Sequence, residues 1–126
     1  FAGATYDPTS HYRAAAVFDY FQERGLSPEL LREVSQHQVG VLAERFDRLD
    51  VDPDLITRDR SVALERLGGF LVLTTRRAAD ISAALAVRGV STDCRGDALR
   101  FGPAPYLCDD QLHAAMDALG AVLDAV

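Results

Sequence analysis

Apolar positions along the chain keep several distinct rhythms. Ala14, Val17, Phe18 and Phe21 recur at three- and four-residue steps, which predicts a helix over "YRAAAVFDYFQERG" stopped by Gly25. A second, longer helical rhythm follows. Leu30, Leu31, Val34, Val41, Leu42, Arg45 and Phe46 set its phase, Leu49 lies near its end, and His37, Gln38, Glu44 and Arg48 read as its wet face. Ser27 as cap, Pro28 at the first helical position and Glu29 in the first turn mark its start. "DVDPDLITRDRS" is polar and reads as a connection. "GGFLVLTT" is short, apolar and rich in β-branched residues, as in a buried strand. "RRAADISAALAVRG" returns to helical spacing and stops at Gly89. "VSTDCR" and "DALRFG" are short strands joined through Gly96-Asp97, a pair that suits a tight hairpin. Leu112, Met116, Leu119 and Leu123 define a closing helix, with Asp109 or Asp110 as its cap.

This order predicts an α+β fold: a two-layer sandwich with a small, mostly antiparallel sheet of about three strands. Helices cover one face, and a long helix precedes the sheet. Residues 1–50 form the lead-in loop and helices, 51–68 the connection, and 69–126 the small sheet domain. The chain of 126 residues suits one modest core. It begins at Phe1 rather than methionine and is expected to be a piece of something longer.

Charge narrows the function classes. A net charge of −6 argues against a nucleic-acid or anionic-membrane surface, because both need clustered cations. No apolar run approaches bilayer length and no secretory signal is recognisable, so a cytoplasmic protein is expected. Cys94 and Cys108 lack metal-ligand spacing and read as free thiols. His11, His37 and His113 are dispersed and form no metal or nucleophile constellation, and the sequence has no phosphate-binding glycine motif. All 13 basic residues are arginine, so no side chain can form a lysine Schiff base.

Arg100 is the candidate site residue. Leu99 and Phe101 share one strand face, while Ala98, Arg100 and Gly102 share the other. A guanidinium standing among small neighbours suits a carboxylate held by its planar fork. The same pattern also fits a solvated arginine on an open sheet face. Asp93 and Arg95 share a face of the neighbouring strand and can pair with each other or with Arg100. In the opening loop, Thr5, Thr9 and Ser10 offer hydroxyls at a helix start, where phosphates bind and where ordinary capping also occurs.

"GGFLVLTT", "AADISAALAVRGVSTDCRGDALRFGPAPY" and the closing "QLHAAMDALGAVL" together resemble the C-terminal end of pyridoxal-phosphate enzymes of the class V aminotransferase family, kynureninase-like members above all. The most specific stretch is "RGV…D.R…LRFG.AP". "FAGATYDPTSHYRAAAVFDYFQERG" looks like the lead-in to the small domain. The resemblance implies a fold-type I enzyme acting on an amino acid as a homodimer. Within it, Arg100 grips the substrate α-carboxylate, and Thr5, Thr9 or Ser10 reaches the phosphate of pyridoxal phosphate.

The family's Schiff-base lysine and its pyridine-pairing aspartate belong to a large domain upstream of this stretch. Alone, the chain is therefore expected to be inactive and to expose apolar surface that the large domain would cover. Which amino acid is used stays open, as does the choice among transamination, elimination, desulfuration and hydrolytic cleavage. The alternative is a free-standing ferredoxin-like module, either binding a small ligand or serving regulation or dimerisation, because many such modules share this layout.

Overall fold

Pro8 holds the cap position of the first helix, α1 (Thr9–Glu23), where proline's fixed φ suits the entry to a helix. The computed structural model describes residues 7–125. They divide into two compact units, one through Leu31 and the other from Arg32 onward. In the first unit α1 buries none of its residues, and Tyr12, Val17, Phe18 and Tyr20 are all exposed. α2 (Pro28–Asp47) begins as its sequence predicts, with the Leu30 N–H donating to Ser27 Oγ at 3.2 Å.

The second unit is α+β and two-layered. Beyond α2 it holds a 3-10 turn (Leu64–Arg66), β1 (Leu71–Thr74), α3 (Ala78–Val87), β2 (Asp93–Arg95), β3 (Ala98–Phe101) and α4 (Asp109–Leu123). The antiparallel sheet has the order β1-β3-β2. The β1–α3–β2 crossover leaves one place free and β3 fills it, a split βαβ arrangement. Gly89, with φ +80°, ends α3 without the steric cost a side chain would bring. Gly96, with φ +55°, does the same for the turn from β2 to β3.

Period-two alternation sends Leu71, Leu73, Leu99 and Phe101 to one face of the sheet. There they join Leu42 and Phe46 of α2, Ile81 and Leu85 of α3, and Met116 and Leu119 of α4 in one core. Each large apolar side chain buried there is worth about 1.5–3 kcal/mol. The opposite sheet face carries Val72, Asp93 and Arg95, which are exposed, and Arg100, which is half-buried.

Three expectations need correction. Gln38 lies not on a wet face but inside, while Leu30 is exposed. The buried stripe of α2 is Val39, Leu42, Ala43 and Phe46, and Gln38 flanks it where loop carbonyls meet its amide. The cap of α4 is Cys108 rather than Asp109 or Asp110, with Gln111 Oε1 accepting the Cys108 N–H at 3.0 Å. Both aspartates sit in the first turn instead, where the helix dipole favours them.

The polar connection is also less loose than its composition suggests. Ile56 is buried, and Thr57 bridges Thr74 through reciprocal backbone bonds of 3.0 and 2.7 Å. Arg58 grips Asp47 with both prongs, Nε to Oδ1 at 2.9 Å and Nη2 to Oδ2 at 2.5 Å, and Arg60 adds a bond of 2.6 Å. The Arg58 hydrogen bonds hold the Asp47 carboxyl below its ordinary value of 3.8. A carboxyl depressed in the folded state adds stability that is complete above its unfolded value and disappears as pH falls through its folded value. Asp47→Asn is therefore expected to cost on the order of 1 kcal/mol at neutral pH, after allowance for its partial exposure. The gap to wild type should shrink as pH falls below about 4, which urea titrations at several pH values would measure. A gap that stays constant with pH would exclude this role.

Candidate functional site

β3 is the central strand, so Arg100 has a neighbour on each side. Val72 of β1 and Asp93 of β2 are its register partners. Pairing across the β2–β3 turn follows from the two-residue Gly96-Asp97 connection, which sets Arg95 opposite Ala98 and hence Asp93 opposite Arg100. Directly opposed residues in a sheet lie within reach of each other's side chains. Asp93 Oδ2 accordingly forms an ion pair with Arg100 Nη2. The Arg100 side chain is 25% exposed and that of Asp93 53%.

Two further groups complete the cluster. The Arg100 Cζ stands over the Phe70 ring, 5.3 Å from its centroid, a cation–π arrangement. Arg95 Nε lies 3.6 Å from the same Asp93 oxygen that meets Arg100. The open sheet face thus presents a half-sheltered guanidinium backed by an aromatic ring, with a carboxylate already on its fork. Such a group suits carboxylates: Arg has five N–H donors in a fixed plane, and Asp93 meets it through one oxygen.

The other candidate residues have different places. Thr5 lies outside the described residues. Thr9 and Ser10 open α1, in the first compact unit. The Thr9 N–H and hydroxyl both donate to Asp7 Oδ1, at 3.0 and 2.5 Å, and these bonds hold the Asp7 carboxyl below its usual range, the hydroxyl's foremost. Cys94 and Cys108 are free thiols. As to pyridoxal phosphate, the chain has no amine side chain for the Schiff base, and the Thr9 N–H and hydroxyl both donate to Asp7.

Sequence reasoning missed three features. Phe70 precedes β1 by one residue and has the same parity as Val72, so it falls on the Arg100 face once the β1–β3 register is known. His37 Nε2 bonds both oxygens of Asp109, at 2.8 and 3.0 Å, and ties α2 to α4. A groove of about 530 Å³, lined by Leu42, Val90, Pro103, Tyr106, Ala115 and Ala118 among others, opens beside α4. Its walls come from segments far apart in sequence, so no local pattern announces it. No family model, curated protein or solved structure matches the chain.

Proposed function

We propose that this chain is the C-terminal small domain of a pyridoxal-phosphate-dependent enzyme of the class V aminotransferase family, kynureninase-like, in which Arg100 holds the α-carboxylate of an amino-acid substrate. The observation that carries the reading is that Arg100 stands on an open sheet face with its guanidinium backed by Phe70 and engaged by a carboxylate. A solvated arginine needs neither an aromatic platform nor a partner set by strand register. The motif residues "LRFG", with "D.R" on the adjacent strand, support the same assignment. The coenzyme belongs to a large domain outside this chain, because none of the 126 residues is a lysine. The chain by itself is then inactive, and its work is done in a cytoplasmic homodimer together with that domain. The exposed apolar side chains of α1 are in keeping with a surface made to be covered.

The test uses the complete translation product of the gene. It should be yellow with bound coenzyme, and borohydride should fix the colour covalently. Arg100→Gln should lower kcat/KM for its amino acid by at least about 30-fold, the lower end of what removing one member of a sheltered charge pair costs. Arg100→Lys should restore part of the loss. A colourless product, or unchanged kcat/KM in Arg100→Gln, would overturn the proposal.

A second reading rests on topology. The five elements from β1 to α4 are the first five of the ferredoxin-like order, an arrangement found in free-standing small-ligand and regulatory modules. In such a module the carboxylate chemistry of Arg100 would serve ligand binding without catalysis, and the gene product would bind carboxylates without coenzyme.

A further inference from the structure

We propose that Asp93 is a resident competitor: it occupies the Arg100 fork in the free protein, and an incoming ligand carboxylate displaces it onto Arg95. This rests on the reading of Arg100 as a carboxylate site and adds the means by which that site is kept filled when empty of ligand.

Three observations carry it. First, register sets up the pair: Asp93 and Arg100 are directly opposed on adjacent strands, so the aspartate is within reach. Second, the same oxygen, Asp93 Oδ2, meets Arg100 Nη2 and lies 3.6 Å from Arg95 Nε. Asp93 and Arg95 are two residues apart on one strand face, so a small rotation of the aspartate side chain passes its charge from one cation to the other. Release from Arg100 leaves no carboxylate unpaired. Third, the aspartate is half-exposed while the arginine is more sheltered, at 53% and 25%. The more exposed member of the pair is the carboxylate, while the guanidinium has the Phe70 ring beside it.

An exposed carboxylate held by one oxygen is a weak partner. A ligand carboxylate that engages two donors of the fork is a stronger one. The exchange therefore selects for carboxylates presented squarely to the guanidinium plane. It rejects chloride and other anions that lack two parallel acceptor oxygens. Asp93 is a positioning residue in this scheme, and it never touches the reacting atoms of a substrate.

The experiment is a titration of the full chain, with its arginine side chains 15N-labelled, by sodium acetate at constant ionic strength, read at the Arg100 Nε–Hε signal. Arg100→Gln assigns that signal and tests the site itself. Asp93→Asn should bind acetate about two- to fivefold more tightly, the range in which exposed ion pairs fall. Arg95→Gln, which removes the second seat of the aspartate, should bind it more weakly than wild type. Asp93→Asn with unchanged or weaker affinity would overturn the competitor role while leaving the carboxylate site standing. An Arg100 signal that fails to respond in both wild type and Asp93→Asn would overturn the site and the competitor together. Should Asp93→Asn not fold, the direction of the Arg95→Gln shift decides: unchanged or tighter binding there also refutes the exchange.

Discussion

Leu99→Ala is expected to lower stability by about 3 kcal/mol, which for a body of this size moves the melting temperature by roughly 15 °C. Leu99 is fully buried, at 0% exposure, in the middle of the central strand. Its register partners are Leu73 and Cys94, so it meets both neighbouring strands at once, and its side chain enters the core shared by α2, α3 and α4. Truncation there opens a cavity between the sheet, whose backbone the strand pairing holds in place, and the helices packed on it, so little collapse is available. Thermal unfolding followed by circular dichroism measures the loss. Val87→Ala, at an exposed position near the end of α3, is the control and should change stability by less than about 0.5 kcal/mol. A Leu99→Ala loss below about 1 kcal/mol would mean that the core is not packed as described.

Gln38→Leu should cost about 2–3 kcal/mol even though it replaces a polar side chain by an apolar one of similar size. Gln38 is 2% exposed, and its amide Nε2 donates to Ala104 O at 2.9 Å and Leu107 O at 3.0 Å. The segment it holds contains Pro103 and Pro105, which have no N–H to offer their neighbours. A leucine leaves the half-buried Leu107 carbonyl without this donor and Ala104 O with the Leu107 N–H alone, and it buries no amide in exchange. Because the segment follows β3 directly, its loosening should also raise amide exchange at Leu107, whose N–H now donates to Ala104 O at 3.0 Å. Urea unfolding and hydrogen exchange report the two effects separately. A neutral or stabilised Gln38→Leu would show that the amide contributes nothing beyond its volume.

Gln38 also shows where reading the sequence stops. The helical phase of α2 was legible to within one position, but a hydrophobic pattern scores glutamine as solvent-facing. It has no knowledge of carbonyls 66 and 69 residues further on. Local signals served best. Ser27-Pro28 started α2, Gly89 ended α3 and Gly96-Asp97 turned the hairpin, each because backbone geometry at those points depends on the residue itself. The hairpin then fixed Asp93 opposite Arg100, so half of the candidate site was visible in advance. The other half was hidden. Phe70 reaches Arg100 through the β1–β3 pairing, whose register is set by packing across a crossover and not by any turn. The groove beside α4 was hidden for the same reason.

The segment between α2 and β1 was expected to be a mere spacer, and its ties give it a different mechanical character. Ile56 in the core, Thr57 on Thr74 and the Arg58 fork on Asp47 fasten its first part. Further on, Arg32 donates to the carbonyls of Leu67 and Glu65, and Gln36 to that of Glu65. Chain fastened at both ends is expected to open with its anchors rather than ahead of them, so amide exchange at Thr57, bonded to Thr74, should track that of the sheet edge.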